Sequence, residues 1–125
     1  MNLNQATIYS AKPVETVEFF RKLGLRLIVD SLPRYARLEC PDGESTLSVH
    51  NADNESGSHN IVLYFECDDL DGEVERIKAV GLEFETGPTD QTWLWREAYL
   101  KDPNGNKICL FHAGENRKNP PWRVK

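Results

Sequence analysis

His50 and Cys109 are the two side chains of this sequence best suited to chemistry, and each lies in a short, largely apolar run, His50 at a strand end. A neutral imidazole with a reference pKa of about 6.5 can serve as a general base or a metal ligand. His50 is therefore the leading catalytic candidate, although an isolated strand-end histidine is equally served by one hydrogen bond. Cys109 would act as a nucleophile or ligand only if a nearby cation lowered its pKa; otherwise a free cysteine packs as a small buried apolar residue. Glu66 and Glu97 are candidate acids lining a site, and Glu97, next to Arg96, reads as half of an ion pair. Tyr9, Tyr64, Trp93, Trp95 and Tyr99 fall at alternating strand positions, with Trp93 and Trp95 on one face. Such aromatic walls suit flat or apolar ligands, and they also suit core or dimer contacts. His59, in the polar stretch 51–60, reads as solvated.

What positions these residues is a repeat. Val17-Glu18-Phe19-Phe20-Arg21-Lys22-Leu23-Gly24-Leu25 matches Val74-Glu75-Arg76-Ile77-Lys78-Ala79-Val80-Gly81-Leu82 in register. Further on, Pro41-Asp42-Gly43 matches Pro103-Asn104-Gly105, and His50 matches His112, at an offset about five residues larger. The loop 86–92 is expected to hold the extra residues. Internal repeats decide a fold, so this pattern outranks any local reading. Each copy predicts a strand (5–10; 61–67), then a helix opened by Pro13 in one copy and capped by Asp68 or Asp69 in the other. Gly24 and Gly81 close the helices in a left-handed conformation. A short strand (25–29; 82–85), a loop and a hairpin follow, and the last strands are 46–50 and 107–111. The hairpin turns are Cys40-Pro41-Asp42-Gly43 and Asp102-Pro103-Asn104-Gly105-Asn106. The expected fold class is α+β: two repeated βαβββ modules forming a curved, mostly antiparallel sheet around a cleft, with helices on the outer face.

Strand alternation then sorts the side chains. Ala6 and Ile8 are expected to face one helix, and Ile61, Leu63 and Phe65 the other. Leu47, Val49, Ile108 and Leu110 also point that way. The opposite face should carry Gln5, Tyr9, Ser48, His50, Tyr64 and Cys109 as a ligand-binding cleft, with Trp95 and Glu97 near its mouth.

The paired units, Ala79-Val80-Gly81-Leu82-Glu83-Phe84, the segment 65–71 (FECDDLD) and the ending 102–114 (DPNGNKICLFHAG) together resemble the vicinal oxygen chelate superfamily. That superfamily includes glyoxalases, bleomycin-binding resistance proteins and extradiol dioxygenases, and the likeness runs from about residue 3 to 114. Its metal-dependent enzymes typically take one His, Gln or Glu ligand from each first strand and each last strand. Carried over by position, the resemblance implies Gln5, Val62, Ser48 and Cys109. Valine cannot ligate, serine is a poor ligand, and Cys109 stands where a glutamate is expected. No tightly held metal is therefore expected, with Gln5, His50 and Cys109 as weak candidates and a divalent metal as the only cofactor to consider. The resemblance implies a small-molecule-binding protein with a degenerate metal site. The alternative is a metal-dependent lyase, isomerase or dioxygenase with an altered ligand set. Nothing resembles a basic cluster for a phosphonate or glutathione anion, although Arg37 and Arg96 could contribute to one.

Bulk composition agrees with one small globular domain, 1–125, with modules at about 3–52 and 59–114 and a terminal strap at 115–125. Of 125 residues, 39% are hydrophobic and 28% charged, and the formal net charge of -5 argues against nucleic acid. No apolar run is long enough to span a membrane, and the first residues lack a signal-peptide pattern. Three cysteines without a CxxC pair point to a reducing cytoplasm rather than a disulfide framework. The strap is expected to bury Trp122 against its own or a partner subunit, and a homodimer would cover the open sheet edges.

Overall fold

The computed structural model describes residues 3–52 and 61–124. They run β1 (Gln5–Ser10), α1 (Pro13–Leu23), β2 (Arg26–Ser31), β3 (Tyr35–Glu39) and β4 (Thr46–Asn51), then β5 (Val62–Glu66), α2 (Leu70–Ala79), β6 (Thr86–Asp90), β7 (Arg96–Lys101) and β8 (Lys107–His112). A short 3-10 helix, Gly114–Arg117, ends the regular structure. By internal contacts the chain falls into two compact units, residues 1–59 with 102–105, and 60–101 with 106–125. Both have the β-α-β-β-β order expected from the repeat, and their strand orders correspond, β1-β4-β3-β2 and β5-β8-β7-β6. In each sheet the first and last strands pair in parallel and the other pairings are antiparallel. The protein is an α+β fold of two βαβββ modules.

The helix signals act as read. Pro13 opens α1, where its missing N–H costs nothing. The Asp69 carboxylate accepts from the Gly72 N–H to cap α2. Gly24 (φ 121°) and Gly81 (φ 98°) follow the two helices at equivalent positions, a conformation that a Cβ disfavours. Alternation also sorts the faces as expected. In the first unit Ile8, Ala36, Leu38, Leu47 and Val49 are buried with Val17, Phe20 and Leu23 of α1. In the second, Ala98, Leu100, Ile108 and Leu110 are buried with Leu70, Val74 and Ile77 of α2.

Several expectations need correction. Residues 82–85 form no strand; β6 is Thr86–Asp90, in the stretch expected to be a loop. Leu82 and Phe84 alternate as a strand would, but they anchor an irregular segment whose extra residues precede the edge strand. That edge strand tolerates Gly87 and Pro88 because one side needs no ladder, and its register shifts between Thr86 and Thr89. Trp93 lies in the β6–β7 turn rather than on a strand, beside Leu94 at φ 68°. Ile61 precedes β5 and is exposed instead of facing the helix. Trp122 is 58% exposed, so its own chain does not bury it. His59 lies outside the described residues.

The match of His50 with His112 also fails. With α1 aligned on α2, β1 pairs Thr7 with Ser48 while β5 pairs Tyr64 with Cys109. Ser48 therefore corresponds to Cys109, and His50 to Phe111. The β7–β8 connection, 102–106, is one residue shorter than the β3–β4 connection, 40–45. One residue of slip moves every later side chain to the other face. The His112 ring accordingly leaves the open face and its Nδ1 meets the Cys67 carbonyl at 2.8 Å.

Candidate functional site

The face of each sheet turned away from its helix carries the candidate chemistry. In the first unit that face holds Gln5, Thr7 and Tyr9 of β1, Ser48 and His50 of β4, and Tyr35 and Arg37 of β3, placed side by side by the pairings Thr7–Ser48–Arg37 and Tyr9–His50–Tyr35. Hydrogen bonds chain these groups together. Thr46 donates to Gln5 Oε1 at 3.0 Å, and Gln5 Nε2 donates to Ser48 Oγ at 3.2 Å. Ser48 Oγ lies 3.0 Å from Tyr35 Oη, which also accepts from Arg37 Nε at 2.8 Å. Ser48 is fully buried and accepts from Gln5, and either hydroxyl of the Ser48–Tyr35 pair can donate to the other. The Ser48 hydroxyl first, and the Arg37 guanidinium after it, hold the Tyr35 phenol below its usual range against the opposing effect of burial. The His50 ring packs between Tyr9 and Tyr35, with centroids at 5.4 and 4.7 Å.

The corresponding face of the second unit is more apolar. Cys109, Phe111 and Ala113 form its buried cluster, with Val62, Trp95 and Tyr99 packed against it. Trp95 stacks on Phe111 at 4.6 Å and 14°, and Tyr64 meets both rings edge-on. Glu97 is not the ion-pair partner of Arg96. Neighbouring strand residues point to opposite faces, so Arg96 reaches Asp71 and Asp90, both at 3.0 Å. Glu97 is only 2% exposed and accepts from Trp93 Nε1 at 3.0 Å and Tyr99 Oη at 2.8 Å. Burial, then the Glu97 carboxylate, pushes the Tyr99 phenol far above its ordinary value. These groups border an open concavity of about 450 Å³, lined by Glu85, Thr86, Gln91, Trp93, Glu97, Tyr99 and Lys107. Glu66 is used structurally. Burial alone would raise its pKa, but the Ala113 and Gly114 N–H groups, at 2.9 and 2.8 Å, outweigh that and hold it low.

Within the first unit the structure thus brings together Gln5, Tyr9, Ser48 and His50, and within the second Tyr64, Trp95, Glu97 and Cys109. Sequence reasoning missed Tyr35 as a site residue. The available signal was its place, with Arg37, on the strand before a Pro-Asp-Gly turn, two residues apart and so on one face.

The implied metal quartet does not fit these residues. Gln5 and Ser48 already bond to each other and to Thr46 and Tyr35. Val62 offers no donor atom. Cys109 is fully buried, and burial pushes its thiol up to about 11 despite the Tyr99 hydrogen bond that pulls the other way. Among the described residues no three His, Cys, Asp or Glu side chains converge as metal ligands. The Cys109 state is directly testable. With its pKa near 11, about one thiol in a thousand is ionised at pH 8. Iodoacetamide should leave Cys109 unmodified in the native protein and alkylate it fully in urea, as read by peptide mass spectrometry. Native modification at the rate of a free thiol would contradict the packing of β8.

Comparison with known proteins places this geometry. A family model described as Glyoxalase/Bleomycin resistance protein/Dioxygenase superfamily matches residues 2–110. Solved structures align over nearly the whole chain. A glyoxalase/bleomycin resistance protein/dioxygenase from Nocardioides is 22% identical with a TM-score of 0.80, covering 100% of this chain and 90% of that one. TioX from Micromonospora sp. ML1 is 18% identical with a TM-score of 0.74, covering 90% and 99%. Lactoylglutathione lyase from Agrobacterium tumefaciens is 18% identical with a TM-score of 0.71, covering 89% and 92%. At these identities the likeness is one of fold. No curated protein sequence matches the chain.

Proposed function

Because the chain belongs to the Glyoxalase/Bleomycin resistance protein/Dioxygenase superfamily, we propose that it uses the superfamily's fold to bind a small organic molecule without a catalytic metal. The observation that carries this reading is the 450 Å³ concavity of the second unit. Its volume lies in the range of small-molecule sites, and it combines two aromatic rings with a few polar groups able to orient a ligand. The donor set supports the metal-free part, since tight sites need at least three well-placed protein ligands. Cys40, Cys67 and Cys109 are all free thiols, which suits a reducing compartment such as the cytoplasm. No helix among the described residues is long and apolar enough to cross a membrane.

Metal-free bleomycin, the ligand in the family's name, is the first probe. Saturable quenching of tryptophan fluorescence is expected, sharply reduced in Trp93→Phe. Elemental analysis of the purified protein should show well under one equivalent of zinc, nickel, iron or manganese. Near-stoichiometric metal that is lost in His50→Ala or Cys109→Ala, with turnover of methylglyoxal plus glutathione, would move the protein to the lyase class.

A homodimer belongs to the same reading. Tyr9, Tyr64 and Trp122 are each at least half exposed and would be covered in a pair. Sedimentation should give a dimer at tens of micromolar, and a monomer there would count against it.

A further inference from the structure

We propose that Tyr35 and Arg37 form an oxyanion site on the open face of the first unit, which takes the carboxylate of a small aromatic acid. The site belongs to the first unit, whereas the 450 Å³ concavity belongs to the second, so the proposal goes beyond the ligand-binding reading and does not rest on it.

The donor arrangement points to an anionic oxygen. Arg37 uses Nε on Tyr35 Oη at 2.8 Å, and its two terminal amino groups have no partner among the described residues. Arg96, the other arginine singled out from the sequence, is taken by Asp71 and Asp90. Among the described residues Arg37 has no such competitor, and Glu39, two residues along the same face, is held by Arg26 at 3.1 Å. Its guanidinium therefore presents a positive fork that no carboxylate among the described residues neutralises, the shape that a planar carboxylate matches.

Tyr35 supplies the next donor. Its oxygen accepts from Arg37 and lies 3.0 Å from Ser48 Oγ, and the ligand-ready arrangement is the one in which Ser48, accepting from the Gln5 amide, donates to Tyr35. In that arrangement the phenol proton has no acceptor among the described residues and is available to a ligand. A phenol that accepts two hydrogen bonds, one from a cation, is itself a stronger donor. The four-member chain Thr46–Gln5–Ser48–Tyr35 holds this orientation before any ligand arrives, so little ordering is left to do on binding.

The aromatic class follows from the neighbours. His50 is enclosed by Tyr9 and Tyr35, and Tyr9 is 61% exposed on the same face. A ring carried by the acid can pack on Tyr9 and His50 while its carboxylate reaches Arg37 and Tyr35. A phosphate would bring about two negative charges to a place that offers one cation, which favours the monoanion.

Benzoate is the probe, with benzyl alcohol as its neutral counterpart, and the readout is NMR of the 15N-labelled full chain. Benzoate should shift backbone amide resonances of β3 and β4 saturably in the millimolar range, together with the Arg37 Nε–Hε resonance in the unsubstituted chain, and benzyl alcohol should shift them far less. A hydrogen bond to a charged group supports a loss of about tenfold or more in Arg37→Gln, with a smaller loss in Tyr35→Phe. Arg37→Lys keeps the charge, removes the fork and should bind weakly; a dispersed backbone spectrum of each variant shows that it is folded. Equal binding of benzoate and benzyl alcohol, or binding indifferent to Arg37→Gln, would overturn the oxyanion site while leaving ligand binding intact. No shift at any accessible benzoate concentration overturns it too, and the bleomycin titration then decides the broader reading separately.

Discussion

Replacing Phe20 by alanine is expected to destabilise the protein by about 3–5 kcal/mol, the range for truncating a fully buried aromatic ring. Phe20 is 0% exposed on the inner face of α1, edge-on to Phe19 at 5.0 Å, and packed under a sheet whose Leu38 and Val49 are also fully buried. The loss combines the ring's transfer out of water with a cavity that the regular strands above cannot collapse to fill. Urea denaturation followed by circular dichroism measures it, and the midpoint should fall without a matching change in slope. Tyr9→Ala, on the exposed face of the same sheet, should stay within about 0.5 kcal/mol of wild type. A Phe20→Ala loss below about 1 kcal/mol would mean that the first unit has no single well-packed core.

Asn104→Ala should be strongly destabilising, although Asn104 is a turn residue. Its side chain completes a closed ring of three hydrogen bonds. Asn104 Nδ2 donates to Thr16 at 3.0 Å, Thr16 and Ser10 meet at 2.9 Å, and Ser10 donates back to Asn104 Oδ1 at 2.9 Å. Ser10 also accepts from the Lys12 N–H at 2.8 Å, which fixes the entry to α1. Thr16 and Ser10 are 0% and 1% exposed, so neither hydroxyl can turn to water once the amide is gone. Each buried polar group left without its partner costs about 1–3 kcal/mol, and two are affected. Asn104→Asp tests the assignment more finely, because it keeps the acceptor for Ser10 and loses only the donor to Thr16. It should lose about half as much, measured in the same urea experiment at neutral pH. Equal losses for the two variants would show that the turn backbone, rather than the ring of hydrogen bonds, sets the stability.

Both predictions reach residues on which the sequence spoke unevenly. Phe20 was legible as core, since Val17, Phe20 and Leu23 recur at helical spacing. Asn104 was legible only as a turn residue. Its bonds to Ser10 and Thr16 span about ninety positions of chain, and no local pattern encodes such a pairing. Glu97 shows the same limit. Adjacency to Arg96 suggested an ion pair, but adjacent strand residues diverge, and what surrounds the carboxylate is decided by Trp93 in a turn and Tyr99 two residues on.

The sequence by itself determined the repeated β-α-β-β-β order, the helix ends at Gly24 and Gly81, and the face of most strand residues. These follow from chemistry within a few residues: periods of 3.6 and 2, proline and glycine backbone limits, and a side-chain cap. Tertiary structure alone decided the register between strands. A connection one residue shorter set Phe111, not His112, opposite Glu97 and gave His50 a phenylalanine as its counterpart. It also decided hydrogen-bond partnership, giving Ser48 to Gln5 and Tyr35 and leaving the terminal amino groups of Arg37 without a partner among the described residues. Register and partnership depend on loop length and on atoms far apart in the chain, so they become fixed only when the strands come together.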